Sequence, residues 1–495
     1  MRNAKILATL GPASNTEPII RTMLEAGVNA VRINMSHGTH SEHEQTIVNA
    51  RAAARSLDRP LAILVDLSGP KIRTRSLIGG QAVTLSEGSP FTITTREVDG
   101  TNEIVGTNFS ELPKVVTPES VILLDDGALK LKVDSVTETD VNCTVVVGGE
   151  LKERKGINLP ATKLPIPSMT EKDHIDLEWA MGQNVDYIAL SFVRRAEDCR
   201  EAKELIKKLN TREMGRALLV AKIEKAEAIE NLEEIIQETD GVMVARGDLG
   251  VETSVELVPV YQKRIIERAV ANDRFVITAT QMLQSMIDSP YPTRAEASDV
   301  ANAVWDGTDA VMLSAETASG KYPVETVRTM AQIIDAAETI RPDQLKKPVK
   351  YSLPPSGRTS QALCKAAAYA AKETMTEKIA VYTESGLMAR RLSSFRSGLK
   401  TFGLTTSEDA YNQLSLIWGV QPFVHEVPWA TQEMLKIGER TLLEAGVVSA
   451  GETLIMMAGR LSGLGLSSSV VVWTIGTDVP HRNLKAAQVQ EIEEN

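Results

Sequence analysis

Little in this sequence points to a membrane, a secretory route or a nucleic acid. It contains no stretch of about 18 uncharged apolar residues, the length a spanning helix needs. Its start, Met1-Arg2-Asn3-Ala4-Lys5-Ile6-Leu7, runs into a strand-like segment without the charged and apolar leader of an exported chain. A cytoplasmic location is expected. Only three cysteines occur, Cys143, Cys199 and Cys364, with no CxxC pair and no even-numbered framework, which excludes a disulfide scaffold and fits packed thiols in a reducing compartment. Positive charge is also short: 54 Lys and Arg stand against 65 Asp and Glu, a net charge of -11. Nucleic-acid binding by counterion release needs a basic face, so that class is excluded, and any anionic ligand must be held by a local basic cluster. A P-loop is missing as well, because Gly320-Lys321 lacks the preceding glycine and the following Ser or Thr. No repeat of fixed period is found.

What is present is ordinary globular material, 43% apolar and 24% charged, in a chain long enough for two to four domains. Short β-rich runs alternate with amphipathic helical stretches, the pattern of parallel βα units. Strands are expected at 5–10, 29–35, 62–67, 187–193, 217–223, 241–245, 275–280 and 310–315. Helix starts are expected at Thr16, Ser41 and Thr170, each followed by an acidic residue. Eight such units predict an α/β chain built on a TIM (β/α)8 barrel, over 1–69 and 167–341, with its chemistry at the C-terminal ends of the strands. Residues 70–166 differ, with short alternating runs broken by Gly79-Gly80, Asp126-Gly127 and Gly148-Gly149. They predict an inserted, small β-barrel-like domain at the top of the barrel that acts as a lid. A proline-bearing linker follows at 342–355. Residues 356–495 predict an open α/β domain with strands at 378–382, 400–404, 421–426, 452–457 and 469–474.

The strand-end rule collects an unusual set of side chains: Arg32, Asn34 and Ser36; Asp66 and Arg73; Lys222 and Glu224; Arg246 and Asp248; Thr280 and Gln281; Glu316 and Thr317. Ionisable groups are rare in buried parallel strands unless paired or ligated. An isolated lysine and carboxylate such as Lys222 and Glu224 is more often a salt bridge. Asp248, in a Gly247-Asp248-Leu249-Gly250 turn, supplies a second carboxylate. Two oxygen ligands on separate strand ends, with positions left for water and substrate, suit Mg²⁺ or Mn²⁺. Arg32 and Arg73, each commonly structural when alone, join Lys222 as the basic pocket for an anionic substrate. His37, His40 and His43 do not fall on one ligand face, and His37 is expected at a helix start beside a nucleotide.

Seven segments in order resemble the pyruvate kinase family over essentially the whole chain. They are Thr9-Leu10-Gly11-Pro12-Ala13-Ser14, Arg32-Ile33-Asn34-Met35-Ser36-His37-Gly38, Gly69-Pro70-Lys71-Ile72-Arg73-Thr74, Lys155-Gly156-Ile157-Asn158-Leu159-Pro160, Ala221-Lys222-Ile223-Glu224, Met243-Val244-Ala245-Arg246-Gly247-Asp248-Leu249-Gly250 and Ala279-Thr280-Gln281-Met282-Leu283. The resemblance implies phosphoryl transfer from phosphoenolpyruvate to ADP, giving pyruvate and ATP. Glu224 and Asp248 would bind Mg²⁺ or Mn²⁺, Lys222 would stabilise the transferring phosphoryl group and the enolate, and Arg32 and Arg73 would hold phosphates. Ala245, Arg246, Gly247 and Asp248 with Thr280 would hold the substrate carboxylate, Thr280 and Glu316 would serve proton delivery, and Asn34, His37, Arg73 and Lys155 would meet the nucleotide. It further implies a homotetramer.

Two departures matter. Many family members ligate potassium around Asn34, Ser36, Asp66 and Leu67 and carry a glutamate where this chain has Lys71. The fixed ammonium of Lys71 is expected to replace the cation, so K⁺ is expected not to be required; the bland reading is a solvated lysine at the lid hinge. In the C-terminal domain Thr383-Glu384-Ser385-Gly386 matches the start of the family's phosphate-binding loop, making Thr383, Ser385 and Gly386 effector candidates. Leu387-Met388 and Gly459-Arg460-Leu461-Ser462-Gly463 then depart, which leaves a sugar phosphate, AMP or no effector open. Competing readings are another Mg²⁺-enolate barrel enzyme, which would lack both extra domains, and an inactive phosphometabolite-binding protein, which would have lost a ligand or cation. Turnover measured in buffer free of sodium and potassium is predicted to proceed at full rate; strong activation on adding KCl would contradict the role given to Lys71.

Overall fold

A computed structural model of the chain describes residues 2–160, 162, 166–211, 216–340, 358–426, 431–458 and 469–476. The expected linker 342–355, the segment 459–463 and the terminal segment 477–495 lie outside the described residues. The eight expected barrel strands are all present: β1 (Lys5–Thr9), β2 (Ala30–Asn34), β3 (Ala62–Asp66), β4 (Tyr187–Leu190), β5 (Leu218–Ile223), β6 (Gly241–Ala245), β7 (Phe275–Ala279) and β8 (Ala310–Leu313). They close into one barrel in the ring order β1-β8-β7-β6-β5-β4-β3-β2, every neighbouring pair parallel.

Strand alternation divides each run between two environments. One parity, with Ile6, Ala8, Val31, Ile33, Ile63, Val65, Leu219 and Val242, packs under the helical ring. The other parity, with Leu7, Ala30, Leu64, Tyr187, Ala189, Val220, Met243 and Ile277, fills the interior. The floor is closed by Phe275 and Tyr187, ring centroids 5.2 Å apart and edge-on. Gly241 permits this, because a Cβ there would lie 2.3 Å from the Phe275 ring. Followed upward, the interior parity becomes polar: Arg32 above Ala30, Asp66 above Leu64, Ser191 above Ala189, and Lys222 then Glu224 above Val220. One rule of strand geometry therefore makes both the apolar core and the polar mouth.

The helix starts need two corrections. The helix after β2 is His40–Ser56 and is capped by Thr39, not Ser41: Thr39 Oγ1 accepts the Glu42 N–H and Glu42 Oε2 accepts the Thr39 N–H, a closed capping box. Thr16 stands at the start of Glu17–Ala26 but makes no side-chain cap, and Pro18 in the first turn presets the helical backbone instead. Thr170 caps Glu171–Gly182 as expected, with Asp173 closing the box.

The inserted segment forms a six-stranded sheet, in the order Ile157–Asn158, Val121–Leu124, Leu129–Val136, Asp140–Val147, Pro90–Thr94, Ile104–Gly106, together with a two-stranded ribbon of Val83–Leu85 and Gly149–Leu151. Phe91, Ile93, Leu131, Val133, Val141 and Val145 give it a core of its own. The C-terminal domain is an open sheet ordered Val420–Val424, Lys400–Thr405, Lys378–Tyr382, Thr453–Ala458, Ser469–Thr474, parallel except for the last, antiparallel pair. This domain plugs the N-terminal end of the barrel. Asp309 accepts from the Trp418 N–H at 3.1 Å and pairs with Arg396 at 2.8 Å, the Tyr187 hydroxyl donates to Gln413 O at 2.6 Å, and Lys5 Nζ donates to Val420 O at 2.8 Å. Removing one partner of such a buried ion pair costs about 3–5 kcal/mol, so this end is committed to holding the domains together. Among the described residues of the barrel, the C-terminal mouth is the candidate place for chemistry.

Candidate active site

The mouth is built around Lys222. Its Nζ donates to Ser191 Oγ at 2.8 Å and lies 3.5 Å from both Asp66 Oδ1 and Glu224 Oε2. Burial alone would lower the lysine pKa, but Asp66 and Glu224 outweigh it and the pKa is raised, so the ammonium is retained. Asp66 is in turn held by Arg32, whose Nε and Nη2 both reach Oδ2 at 2.7 Å. Burial pushes the Asp66 carboxyl up, yet Lys222 and Arg32 bring it below its ordinary value. Arg32 Nη1 is anchored on Thr9 Oγ1 at 3.2 Å.

Glu224 follows β5 directly. One of its oxygens, Oε1, accepts the Phe192 N–H at 2.6 Å, with Phe192 at φ 56. The other, Oε2, is buried and has no hydrogen-bond partner. Burial first, and then Asp248, push this carboxyl up to about 7 against the pull of Lys222. Register explains the meeting of the two acids. Ile223 pairs with Val244, so Glu224 lies level with Ala245, three residues before Asp248. The expected turn at 247–250 is instead part of a short helix, Arg246–Glu252, in which Asp248 falls in the first turn. A buried carboxylate oxygen without a donor, beside a second acid, fits a hard divalent cation, with open positions for other oxygen ligands. Among the described residues no group of three or more His, Cys, Asp and Glu is arranged to hold a metal, so the protein offers this pair and no closed cage.

The next strand ends supply positioning. Ala245 is level with Ala279, and the Gly247 N–H donates to Thr280 Oγ1 at 2.8 Å while that hydroxyl donates to Ala279 O at 2.6 Å. Thr280 and Gln281 both have positive φ, 69 and 54, strain of the kind that marks sites held open by their surroundings. Arg246 clamps the same turn through Thr280 O at 2.7 Å and Asp299 at 2.7 Å. Glu316 is fully buried, and its oxygens accept the Leu283 and Ser314 N–H groups at 3.2 and 2.6 Å. It braces the loops after β7 and β8 and makes no hydrogen bond to the Thr280 hydroxyl.

On the opposite side, Asn34 Oδ1 accepts the Ser36 N–H and Ser36 Oγ lies 3.4 Å from Ser68 Oγ. His37 has its pKa lowered by burial and then by the positive charges of Arg73, Lys71 and Arg32. His40 and His43 point elsewhere: His40 pairs with Asp176 at 2.8 Å and stacks on Trp179, and His43 meets His37 O. Arg73 Nη1 donates to Arg154 O at 3.1 Å, and Lys155 pairs with Asp125 at 2.9 Å. Both therefore bond to partners within the inserted domain. Leu67 O accepts from Ser191 Oγ at 2.7 Å. In the C-terminal domain Thr383, Ser385 and Gly386 form the turn between Lys378–Tyr382 and Leu387–Ser394, with Gly386 at φ 71 and Ser385 O taken by Arg390.

Sequence reasoning missed Ser191 and Phe192 because β4 contributes no ionisable residue at its end. The signal was available in parity, since Ser191 continues the inward series Tyr187, Ala189.

Comparison with known proteins agrees with this geometry. The model of the pyruvate kinase barrel domain matches residues 1–327, and that of the pyruvate kinase alpha/beta domain matches 361–472. Pyruvate kinases of Staphylococcus aureus strains MRSA252 and USA300 are each 40% identical over 482 residues, 97% of this chain and 81% of theirs. The crystal structure of a pyruvate kinase from Cryptosporidium parvum superposes with a TM-score of 0.85 at 33% identity, covering 95% of this chain and 96% of that one.

A carboxyl whose folded pKa is raised contributes stability that is present below its ordinary value, 4.5, and is lost as the pH rises through about 7. Without divalent cation, Glu224→Gln is therefore predicted to melt about 2–4 °C above the unaltered protein at pH 8, with the gap closing as the pH falls from 7 to 4.5. A gap independent of pH in calorimetry would refute this.

Proposed function

Since the chain belongs to the pyruvate kinase family, whose reaction moves a phosphoryl group from phosphoenolpyruvate to ADP, we propose that Lys222, Glu224 and Asp248 are the residues that carry this reaction here. The observation that supports the reading best is the buried, donorless Glu224 Oε2 beside a charged Lys222. Glu224 and Asp248 would hold Mg²⁺ (or Mn²⁺), which when bound would supply Lewis-acid charge to the phosphoryl oxygens. Lys222 keeps its proton and presents fixed positive charge where negative charge builds on the phosphoryl oxygens and on the departing enolate.

The remaining residues bind and orient. The backbone from Ala245 to Asp248 and the Thr280 hydroxyl receive the substrate carboxylate, while Arg32 adds charge to the phosphate side. Thr280 stands on the route by which a proton reaches the enolate carbon, and Glu316 holds the loop that carries it. Asn34, His37, Arg73 and Lys155 meet ADP. Because Lys155 rests on Asp125, this requires a lid movement that exchanges that partner for a phosphate, and the same movement shuts out water.

Lys71 stands for the monovalent cation. Asp66 and Leu67 O are already satisfied by Arg32, Lys222 and Ser191, and Lys71 has no acidic partner among the described residues while its charge reaches His37. A cytoplasmic enzyme fits the three buried, unpaired cysteines. A homotetramer fits the exposed apolar side chains Val255, Val260 and Tyr291. The turn with Thr383, Ser385 and Gly386 is the candidate place for an effector, with a sugar phosphate, AMP or no effector at all equally open.

In a coupled assay for pyruvate, the unaltered chain turns over phosphoenolpyruvate with ADP and Mg²⁺, and Lys222→Met lowers kcat by roughly 10²–10³ with KM little changed. A variant within threefold of normal kcat would remove Lys222 from the mechanism.

A further inference from the structure

One buried carboxylate outside the groups assigned above joins three parts of the molecule. Glu252 ends the short helix that begins with Arg246 and carries Asp248 in its first turn. Its Oε1 accepts from Asn158 Nδ2 at 3.0 Å and from Lys225 Nζ at 2.7 Å. Asn158 belongs to the lid strand Ile157–Asn158. Lys225 follows Glu224 in the chain, and its ammonium lies 5.6 Å from the ring centroid of Phe192, the residue whose N–H holds Glu224 Oε1. All three linking side chains are at most 14% exposed, so the contacts are not loosened by solvent as surface pairs are.

The position of this group is unusual for a structural salt bridge. A simple pair would fix two neighbouring segments. Here a single oxygen takes a donor from the lid and a cation from the β5 end, while its own backbone terminates the helix of Asp248. Both candidate metal-binding carboxylates are thus one short connection from the lid. Phe192 closes the circuit on the other side, since its ring packs close enough to Gly69 at the lid hinge that a Cβ there would lie 2.6 Å from Phe192 Cδ2.

We infer that Glu252 is a positioning residue, a latch that registers the lid strand at Asn158 with Glu224 and Asp248 so that the cation site and the lid are set together. The inference rests on the reading of Glu224 and Asp248 as the metal-binding pair. When Asn158 donates to Glu252, the carboxylate is held against Lys225, Lys225 is held over Phe192, and the Phe192 N–H keeps Glu224 Oε1 occupied so that Oε2 faces the cation. Without Glu252, Lys225 and the end of the Asp248 helix lose their common anchor, and the two acids no longer share one geometry.

Calorimetric binding of Mn²⁺ alone to the full chain tests this, together with amide exchange read over residues 156–158. Glu252→Gln is expected to weaken Mn²⁺ binding by about tenfold and to speed exchange of the lid strand by about tenfold. Asn158→Asp, which sets a like charge against Glu252 from the lid side, is expected to speed the same exchange, and it carries the test should Glu252→Gln fail to fold. A merely structural Glu252 would lower the melting temperature while leaving Mn²⁺ affinity and lid exchange unchanged, and that result overturns the latch. Glu224→Gln serves as the control. If it also binds Mn²⁺ normally, the metal reading itself fails, whereas Mn²⁺ binding lost in Glu224→Gln and kept in Glu252→Gln overturns the latch alone.

Discussion

A buried ammonium flanked by two carboxylates governs the mouth of this barrel. Taken from water by itself, Lys222 would lose several kcal/mol of hydration and shed its proton. Asp66 and Glu224 at 3.5 Å reverse that outcome. The same arrangement leaves Glu224 with more negative surroundings than one lysine can neutralise, because Arg32 is already committed to Asp66 while Asp248 adds a further charge beside it. That imbalance is the physical ground for proposing that the pair takes a divalent cation. A fully compensated network would be a structural core and nothing more.

The rest of the fold serves this imbalance. Eight strands of alternating parity carry polar side chains to one end only, and the C-terminal domain closes the other end through Asp309, Arg396 and Tyr187. The lid reaches the site from two sides: through the hinge at Gly69, which accepts the ring of Phe192 only because it lacks a Cβ, and through Asn158. Charge that is costly to bury is thus concentrated at the C-terminal mouth, and the N-terminal end of the barrel is packed and paired.

Much of this was legible in the residues. Runs such as Ala62-Ile63-Leu64-Val65-Asp66 and Gly241-Val242-Met243-Val244-Ala245 can only be strands buried on both faces, and eight of them with helical spacing leave few alternatives to a barrel. Lys222 and Glu224 were visible as ionisable groups where such groups do not belong. Less was legible where the backbone, not the side chain, does the work. Phe192 contributes an N–H, Glu316 two bonds to loop amides, and Arg246–Glu252 is helical although its glycines read as a turn. The cap at Thr39 was misplaced by two residues because Ser41 with Glu44 has the same three-residue spacing as Thr39 with Glu42, and Ser41 stands directly before an acid, so only the bonds actually formed separate them. Long-range partnerships such as Asn158 with Glu252 leave no local trace in a sequence at all.

The central claim is that Glu224 and Asp248 converge on one cation next to Lys222. Anomalous diffraction at the manganese edge, from crystals of the unaltered chain soaked in Mn²⁺, tests it without any assay. The account predicts one peak about 2.2 Å from Glu224 Oε2 and from an Asp248 carboxylate oxygen. A peak bound elsewhere, with Glu224 Oε2 still donorless and unligated, would contradict it.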